Sequence, residues 1–390
     1  MRILICGTEA PLPPLNGMRL QVRELAAALA VEHEVCTLAF GWPEQHGAPP
    51  DGTELITIAP PAGGRVGKLR GWAGALASRT PIEAYKLAGP MRAAIADLRA
   101  RREFDAAHVT IGALADVAPA LRGLPAVIAP LDAWHLNVRA QAALAAGPRR
   151  LALGVQERLV RGFTASHYRP YAHAVFVTEE DAAAARALDP ALRAAVIGNG
   201  VDTRRFAPDP AVAPVPGRVL FTGALHAPSN ESAALLLARE ILPAVRERRP
   251  DAHLCLVGRD PGPAVRALAG EHVEVAANVP DLMPWLHSAE VFSCAMTSGT
   301  GIKNKLLEAL AAGVACVATP LACQGLQVRD GRELRIAEPG PAFAAAVAEL
   351  LGDQGARARL SAAGRSYVVE HHGWAAVAAA YARLYREAAA

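Results

Sequence analysis

Ser298-Gly299-Thr300-Gly301-Ile302-Lys303-Asn304-Lys305-Leu306-Leu307-Glu308-Ala309 is the stretch whose reading decides the fold. An apolar, strand-like run from Ala289 to Cys294 leads into it. A helix-like run from Leu306 to Ala312 leaves it and stops at Gly313, and a second strand-like run, Val314 to Thr319, follows. A glycine-bearing turn thus joins a strand to a helix N-terminus. Free N–H groups there, together with the helix dipole, attract anions such as phosphate. Gly299 and Gly301 let the backbone approach a ligand closely. Lys303 and Lys305 place two cations at the helix end that a bare cation opposes, so a bound anion is the natural reason for them. Glu308, three residues after Lys305, can return to the ligand edge. The turn has neither the Gly-Lys-Ser/Thr ending of a Walker loop nor the glycine spacing of a dinucleotide turn.

The same strand–helix alternation extends in both directions. Arg2 to Cys6 reads as a buried strand, Met18 to Ala30 as a helix and Glu34 to Phe40 as a second strand. This βαβ unit closes right-handed onto a parallel sheet. Its first loop lies at a strand carboxyl end, where open α/β sheets bind ligands. Gly17 in that loop is either a phosphate or acceptor contact or a plain helix-start glycine. Further strands are expected at Leu55–Ala59, Asp105–Val109, Ala126–Leu131 and Ala174–Thr178, with Thr178 capping the helix that Glu179 opens. Asp132 reads either as a functional carboxylate or as a cap for the helix after Ala133. A proline-rich run, Pro208 to Pro216, reads as a linker. Strands at Arg218–Thr222, His253–Val257, Val273–Val275, Val291–Cys294 and Ala315–Ala318, with a helix over Glu231–Arg248, repeat the alternation. The expected class is α/β, with two doubly wound Rossmann-like domains facing a cleft. The domains are 1–200 and 201–372, and a last helix, 373–390, packs back on the first.

Composition sets outer bounds. A length of 390 residues fits two ordinary domains, and 52% hydrophobic content supports large cores. The longest apolar stretch, Ala309 to Ala322, is broken by Gly313 and Pro320 and is too short to span a membrane. The start reads as a strand rather than a signal peptide. Six scattered cysteines show no metal-type pairing and fit reduced thiols in a cytoplasmic setting. A net charge of +3 makes no case for nucleic acid. Arg65 to Arg102 nonetheless holds nine Lys/Arg against two acids, and Arg139 to Arg169 six Arg against one. Such segments are either solvated helix faces or basic surfaces for an anionic membrane. The second case places the chain peripherally at the inner membrane face.

Four ordered segments carry a family resemblance. They are Asn199-Gly200-Val201-Asp202 with Phe206 and Pro208; Phe221-Thr222-Gly223 with Pro228 and Asn230; Val279-Pro280-Asp281; and Ser298 to Ala312 continuing to Thr319. Together the chain resembles glycosyltransferase family 4 of the GT-B fold, in the bacterial sugar transferase subgroup. The resemblance implies a retaining hexosyl transfer from a nucleoside-diphosphate sugar, bound mainly by the second domain, to an acceptor hydroxyl. The acceptor is then a glycolipid, a polysaccharide intermediate or a small-molecule product. By position, Glu308 matches the glutamate that grips the ribose hydroxyls, and Lys303 and Lys305 match basic residues at the diphosphate. The backbone of Thr300, Gly301 and Ile302 faces the sugar and phosphates, and Val279 lines the base. Gly223, Asn230 and Leu306 join this donor-binding set. Gly17 faces the diphosphate from the first domain, and His108 either faces the donor sugar as a catalytic residue beside Lys305 and Glu308 or, at a strand end, is a packed core histidine.

The chain departs from the family at Thr300, where a glutamate is usual, and at Ala224 and Asn230, where an arginine and a lysine are usual. No Asp-x-Asp stands at a metal-binding place, so neither metal nor other cofactor is expected. A nucleotide-sugar epimerase of the same fold and a non-catalytic nucleotide-sugar-binding homologue are the alternatives.

Overall fold

Ile3, Leu4, Ile5 and Cys6 form a continuous apolar run and are all fully buried. A parallel strand covered on both faces needs such a run rather than polar–apolar alternation. In the computed structural model, which describes residues 1–13, 17–42, 47–61, 71, 73–299 and 301–389, this run lies in β1 (Arg2–Gly7) at the middle of a parallel sheet. The chain divides into two units, Met1–Gly198 with Val377–Ala390, and Asn199–Ala376.

The first unit's sheet also contains β2 (Glu34–Phe40), β3 (Thr53–Ile58), β4 (Ala106–Thr110), β5 (Ala126–Leu131), β6 (His173–Phe176) and β7 (Ala194–Val196). Their order is β3-β2-β1-β4-β5-β6-β7, with every pair parallel. The chain winds outward from β1 to β3, then returns to β4 on the other side. The β1/β4 junction is therefore the switch point where a doubly wound sheet opens a crevice. β7 and the 3₁₀ segment Gly112–Leu121 are additions to the sequence expectation, whereas the helix expected after Ala133 is present as Trp134–Leu144. β7 spans three residues, too few to show a period. Asp132 does not cap the helix that follows it. Asp181, from another element, accepts from the Ala133 N–H just ahead of that helix at 2.9 Å and from the Thr178 hydroxyl at 2.6 Å.

The second unit's sheet contains β8 (Arg218–Ala224), β9 (His253–Arg259), β10 (Val273–Ala277), β11 (Val291–Cys294), β12 (Ala315–Ala318) and β13 (Arg335–Ile336). The order is β10-β9-β8-β11-β12-β13, again parallel, which puts the switch point between β8 and β11. The helix expected over 231–248 runs from Pro228 to Arg246 and widens into a π-turn at Leu237–Ile241. Pro243 stands two residues after that turn. Proline lacks an N–H and its ring crowds the preceding turn, and a wider turn absorbs both.

The last helix, Trp374–Ala389, joins the first unit from Val377 onward, where Tyr381 and Tyr385 are buried. Of the basic segment 65–102, residues 65–70 and Trp72 lie outside the described residues. In the remainder, Arg99 donates to the Ala120 carbonyl at 2.6 Å, Arg92 pairs with Asp116 at 3.7 Å and Arg101 with Asp97 at 2.7 Å. Arg102 pairs with Glu54. These cationic heads are engaged by the unit's own groups. Among the described residues, no helix is long and apolar enough to cross a membrane.

Candidate anion-binding site of the second unit

The helix Asn304–Ala311 starts beside the carboxyl ends of β8 and β11. Leu306, Leu307 and Leu310 are fully buried, because the helical repeat turns them toward the sheet. Leu306, expected among the donor contacts, is therefore a core residue, and its N–H donates to the Lys303 carbonyl at 2.8 Å. No side chain caps the helix start. Gly299 and Gly301 take φ values of +104° and +69°, left-handed conformations that favour glycine. Thr300 lies outside the described residues.

Lys305 reaches over the sheet end. Its ammonium bonds the Asn230 side-chain oxygen and sits 4.7 Å from the centre of the Phe221 ring. The Asn230 amide in turn donates to the Ala224 carbonyl at 2.9 Å, which fixes the amide's orientation. A Cβ at Gly223 would meet the Asn230 nitrogen at 3.0 Å and the Lys305 ammonium at 3.1 Å. Burial lowers the Lys305 pKa below the ordinary lysine value, partly opposed by Cys294 and Glu308. Gly223, Asn230 and Lys305 are thus brought together at the β8/β11 switch point.

Lys303 takes a different course. It is 7% exposed, and its ammonium donates to the carbonyls of Gly301 at 2.6 Å and Gly299 at 3.2 Å. Burial lowers its pKa as well. Ile302 beside it is buried.

Glu308 lies one turn into the helix, half-buried, and burial raises its pKa while Arg205 and Lys305 oppose the shift. Arg205 also approaches Asp281 at 3.9 Å. Val279 lies in the loop after β10, half-buried. Two residues with left-handed backbone follow the ends of β9 and β10, Asp260 (φ +49°) and Asn278 (φ +53°), joined by the Asp260 N–H to the Asn278 side-chain oxygen at 3.1 Å.

Several contributors escaped the sequence reading. Asn304 accepts from Asn199 at 2.9 Å, which ties the Asn199-Gly200-Val201-Asp202 segment to the site helix. Arg365 donates to the carbonyls of Ala311 and Phe206, holding the helix's far end and the Arg205 loop. Pairing across 105 residues leaves no local sequence signal.

In the first unit, Gly17 opens the helix Gly17–Leu29, with nothing among the described residues within 4 Å of a Cβ built on it. His108 takes the core position rather than the sugar-facing one. It sits in β4 between Ile5 and Val127 of the flanking strands and is 2% exposed. Its Nδ1 pairs with the Tyr385 hydroxyl at 2.8 Å, and its ring meets Tyr381 edge-on at 4.9 Å. Burial pulls its pKa down to about 3. It is a neutral core histidine on the face that the last helix covers, not a group open to a sugar.

Among the described residues, no group of three or more His, Cys, Asp or Glu could hold a metal ion. What the second unit offers is an ammonium at a sheet switch point, a glycine turn opening a helix, and a half-buried carboxylate one turn further on. That arrangement suits an anion with a neighbouring diol.

Residues 216–353 match the family model described as "Glycosyl transferases group 1", and the chain has the fold of GT-B glycosyltransferases. The solved sucrose-phosphate synthase of Thermosynechococcus elongatus superimposes with a TM-score of 0.68 at 18% identity, over 99% of both chains. HepE from Anabaena, solved in complex with UDP, gives 0.66 at 15% identity, over 99% of this chain and 100% of that one. The phosphatidyl-myo-inositol mannosyltransferase of Mycobacterium tuberculosis strain H37Rv is 33% identical over 207 residues, 50% of this chain and 54% of that protein. The chain spans about half the length of the curated relatives it matches.

Proposed function

We propose that this chain is a retaining glycosyltransferase that moves a hexosyl group from a nucleoside-diphosphate sugar to an acceptor hydroxyl. One observation carries the reading: Lys305, Asn230 and Gly223 converge at the β8/β11 switch point, one helical turn from Glu308. Breaking a sugar–diphosphate bond builds negative charge on the leaving phosphate. An ammonium and backbone N–H groups fixed there stabilise the transition state more than the ground state. Lys305 and Glu308 act as the charged pair of the donor site. Glu308 accepts from the ribose hydroxyls, and Gly301 and Ile302 offer backbone to the phosphates. Val279 lines the base, and Gly17 belongs to the acceptor unit. The leaving phosphate takes the acceptor proton during attack from its own face, so the configuration is kept.

Lys305 and the turn's amides supply the charge that a metal supplies elsewhere, so turnover is expected to survive chelation. The curated relatives named for phosphatidyl-myo-inositol support a lipid-linked acceptor, and a lipid-linked acceptor would bring the chain peripherally to a membrane face. Exposed Arg149, Arg150, Leu151 and Arg158 on one helix add to that support.

The test is a thermal-shift panel of nucleoside diphosphates and their sugars on wild type and Lys305→Met, followed by turnover with an acceptor panel. A ligand at 100 times its Kd adds about 2.7 kcal/mol of stability. Stabilisation of wild type alone, with α-configured product from an α-configured donor, is the expected result. Binding without any transfer points to a non-catalytic homologue, and inverted product overturns the retaining assignment.

A further inference from the structure

Lys303 and Lys305 are two residues apart, yet their ammonium groups do different things. Lys305 stands at the sheet end, against Asn230 and Phe221. Lys303 turns back into the loop that precedes the helix. It draws the Gly301 carbonyl to 2.6 Å and the Gly299 carbonyl to 3.2 Å, and it is 7% exposed. A cation buried at this depth persists only when its donors are matched by acceptors. Here the acceptors include the backbone oxygens of the glycine turn.

The consequence for the backbone is geometric. In a trans peptide the C=O and N–H point in opposite directions. Holding the Gly301 oxygen inward against Lys303 therefore turns the Ile302 N–H outward, away from the ammonium. Ile302 lies two residues before the first residue of the helix Asn304–Ala311, next to its N-cap Lys303. The left-handed φ values at Gly299 and Gly301 are what allow both carbonyls to face one point. Among the described residues no side chain caps this helix start; the Leu306 N–H is taken by the Lys303 carbonyl, so the first turn's remaining amides are those of Asn304 and Lys305.

We infer that Lys303 is a positioning residue, an internal brace that aims the turn's amides at the donor's diphosphate without touching it, while Lys305 makes the direct contact. The inference rests on the donor-site reading above for the identity of the anion. The brace itself rests only on the geometry of the turn.

Two measurements test it on the full chain. The first is lysine acylation followed by mass spectrometry, which is clean because the sequence has only four lysines, at 68, 86, 303 and 305. UDP and GDP serve as the probes. Lys305 is expected to label in the free protein and to be protected by the diphosphate that binds. Lys303 is expected to stay unlabelled with or without it.

The second measurement is calorimetric binding of the same diphosphate at two salt concentrations. Lys303→Met is expected to weaken binding on the order of a hundredfold, as a misdirected donor does, with the salt dependence unchanged. Lys305→Met is expected to flatten the salt dependence, because a direct charge contact is lost. Lys303→Gln, a neutral hydrogen-bond donor, recovers part of the affinity if bracing is the role. Circular dichroism confirms that each variant folds.

Labelling of Lys303 at the rate of Lys305, with protection by the diphosphate, overturns the inference. So does a Lys303→Met protein that binds like wild type. A wild type that binds neither diphosphate while Lys303 stays unlabelled removes the donor reading and supports the brace.

Discussion

Replacing His108 with asparagine should flatten the acid limb of this protein's stability curve. His108 is buried, and its pKa is pulled from 6.5 to about 3 because burial penalises the imidazolium. The unfolded chain therefore binds a proton that the folded one refuses anywhere between those two pH values. Stability contributed by the neutral imidazole is fully present above pH 6.5 and is lost as pH falls toward 3. At about 1.4 kcal/mol per pH unit, the whole window amounts to about 5 kcal/mol. At pH 7.5 the variant loses the bond from Nδ1 to the Tyr385 hydroxyl and part of the ring's packing against Tyr381, for a cost of about 2 kcal/mol. Below pH 6.5 wild type falls faster, so the two curves should meet near about pH 5. Urea midpoints followed by circular dichroism from pH 4 to pH 8 give the curves. Imidazole NMR on wild type gives the titration itself. Parallel curves, or a His108 resonance titrating near 6.5, would refute the reasoning and return His108 to the list of accessible acid–base groups.

Glu308→Gln should stabilise the free protein at pH 8 and leave it unchanged at pH 4. Burial raises the carboxyl's folded pKa, so ionisation costs wild type stability as pH rises through that value. The same variant should lose nucleoside-diphosphate affinity in calorimetry, by about 1–2 kcal/mol for weakened ribose hydrogen bonds. Gly258→Ala puts a Cβ 1.7 Å from the Gly223 oxygen, so β8 and β9 must part at the cradle. A drop in stability of more than about 2 kcal/mol, with weakened diphosphate binding, is the expected pair of results. Arg365→Met removes the donors that hold the Ala311 and Phe206 carbonyls. Hydrogen exchange in the last turn of the helix Asn304–Ala311 should speed up, with a loss of about 1.5–3 kcal/mol in global stability.

The two kinds of site residue differ in how far sequence could place them. Lys305 and Glu308 belong to one helix three residues apart, and the helical repeat alone brings them to one side. Gly223 and Asn230 follow from a strand end and the helix after it, again a local matter. The alternation of apolar runs with helix-length segments likewise exposes the α/β class, since buried parallel strands must be apolar throughout. Lys303 was legible as a cation near a helix start but not as a brace. Whether a flexible four-carbon stem turns outward or back depends on backbone angles at Gly299 and Gly301 that its neighbours in space impose. His108 was legible as a strand residue, but not which face it occupies or that Tyr381 and Tyr385, more than 270 residues later, cover it.

By itself, then, the sequence determined the periodicities. These set the strands, the helices between them and the glycine turn whose lysines and glutamate suit an anion, because each depends on residues a few positions apart. Only the tertiary structure decided the strand order that opens the β8/β11 switch point, the inward turn of Lys303, the burial of His108 and Leu306, and the ties from Asn199 and Arg365. Those depend on which distant segments pack together, and burial and hydrogen-bond partners exist only once they do.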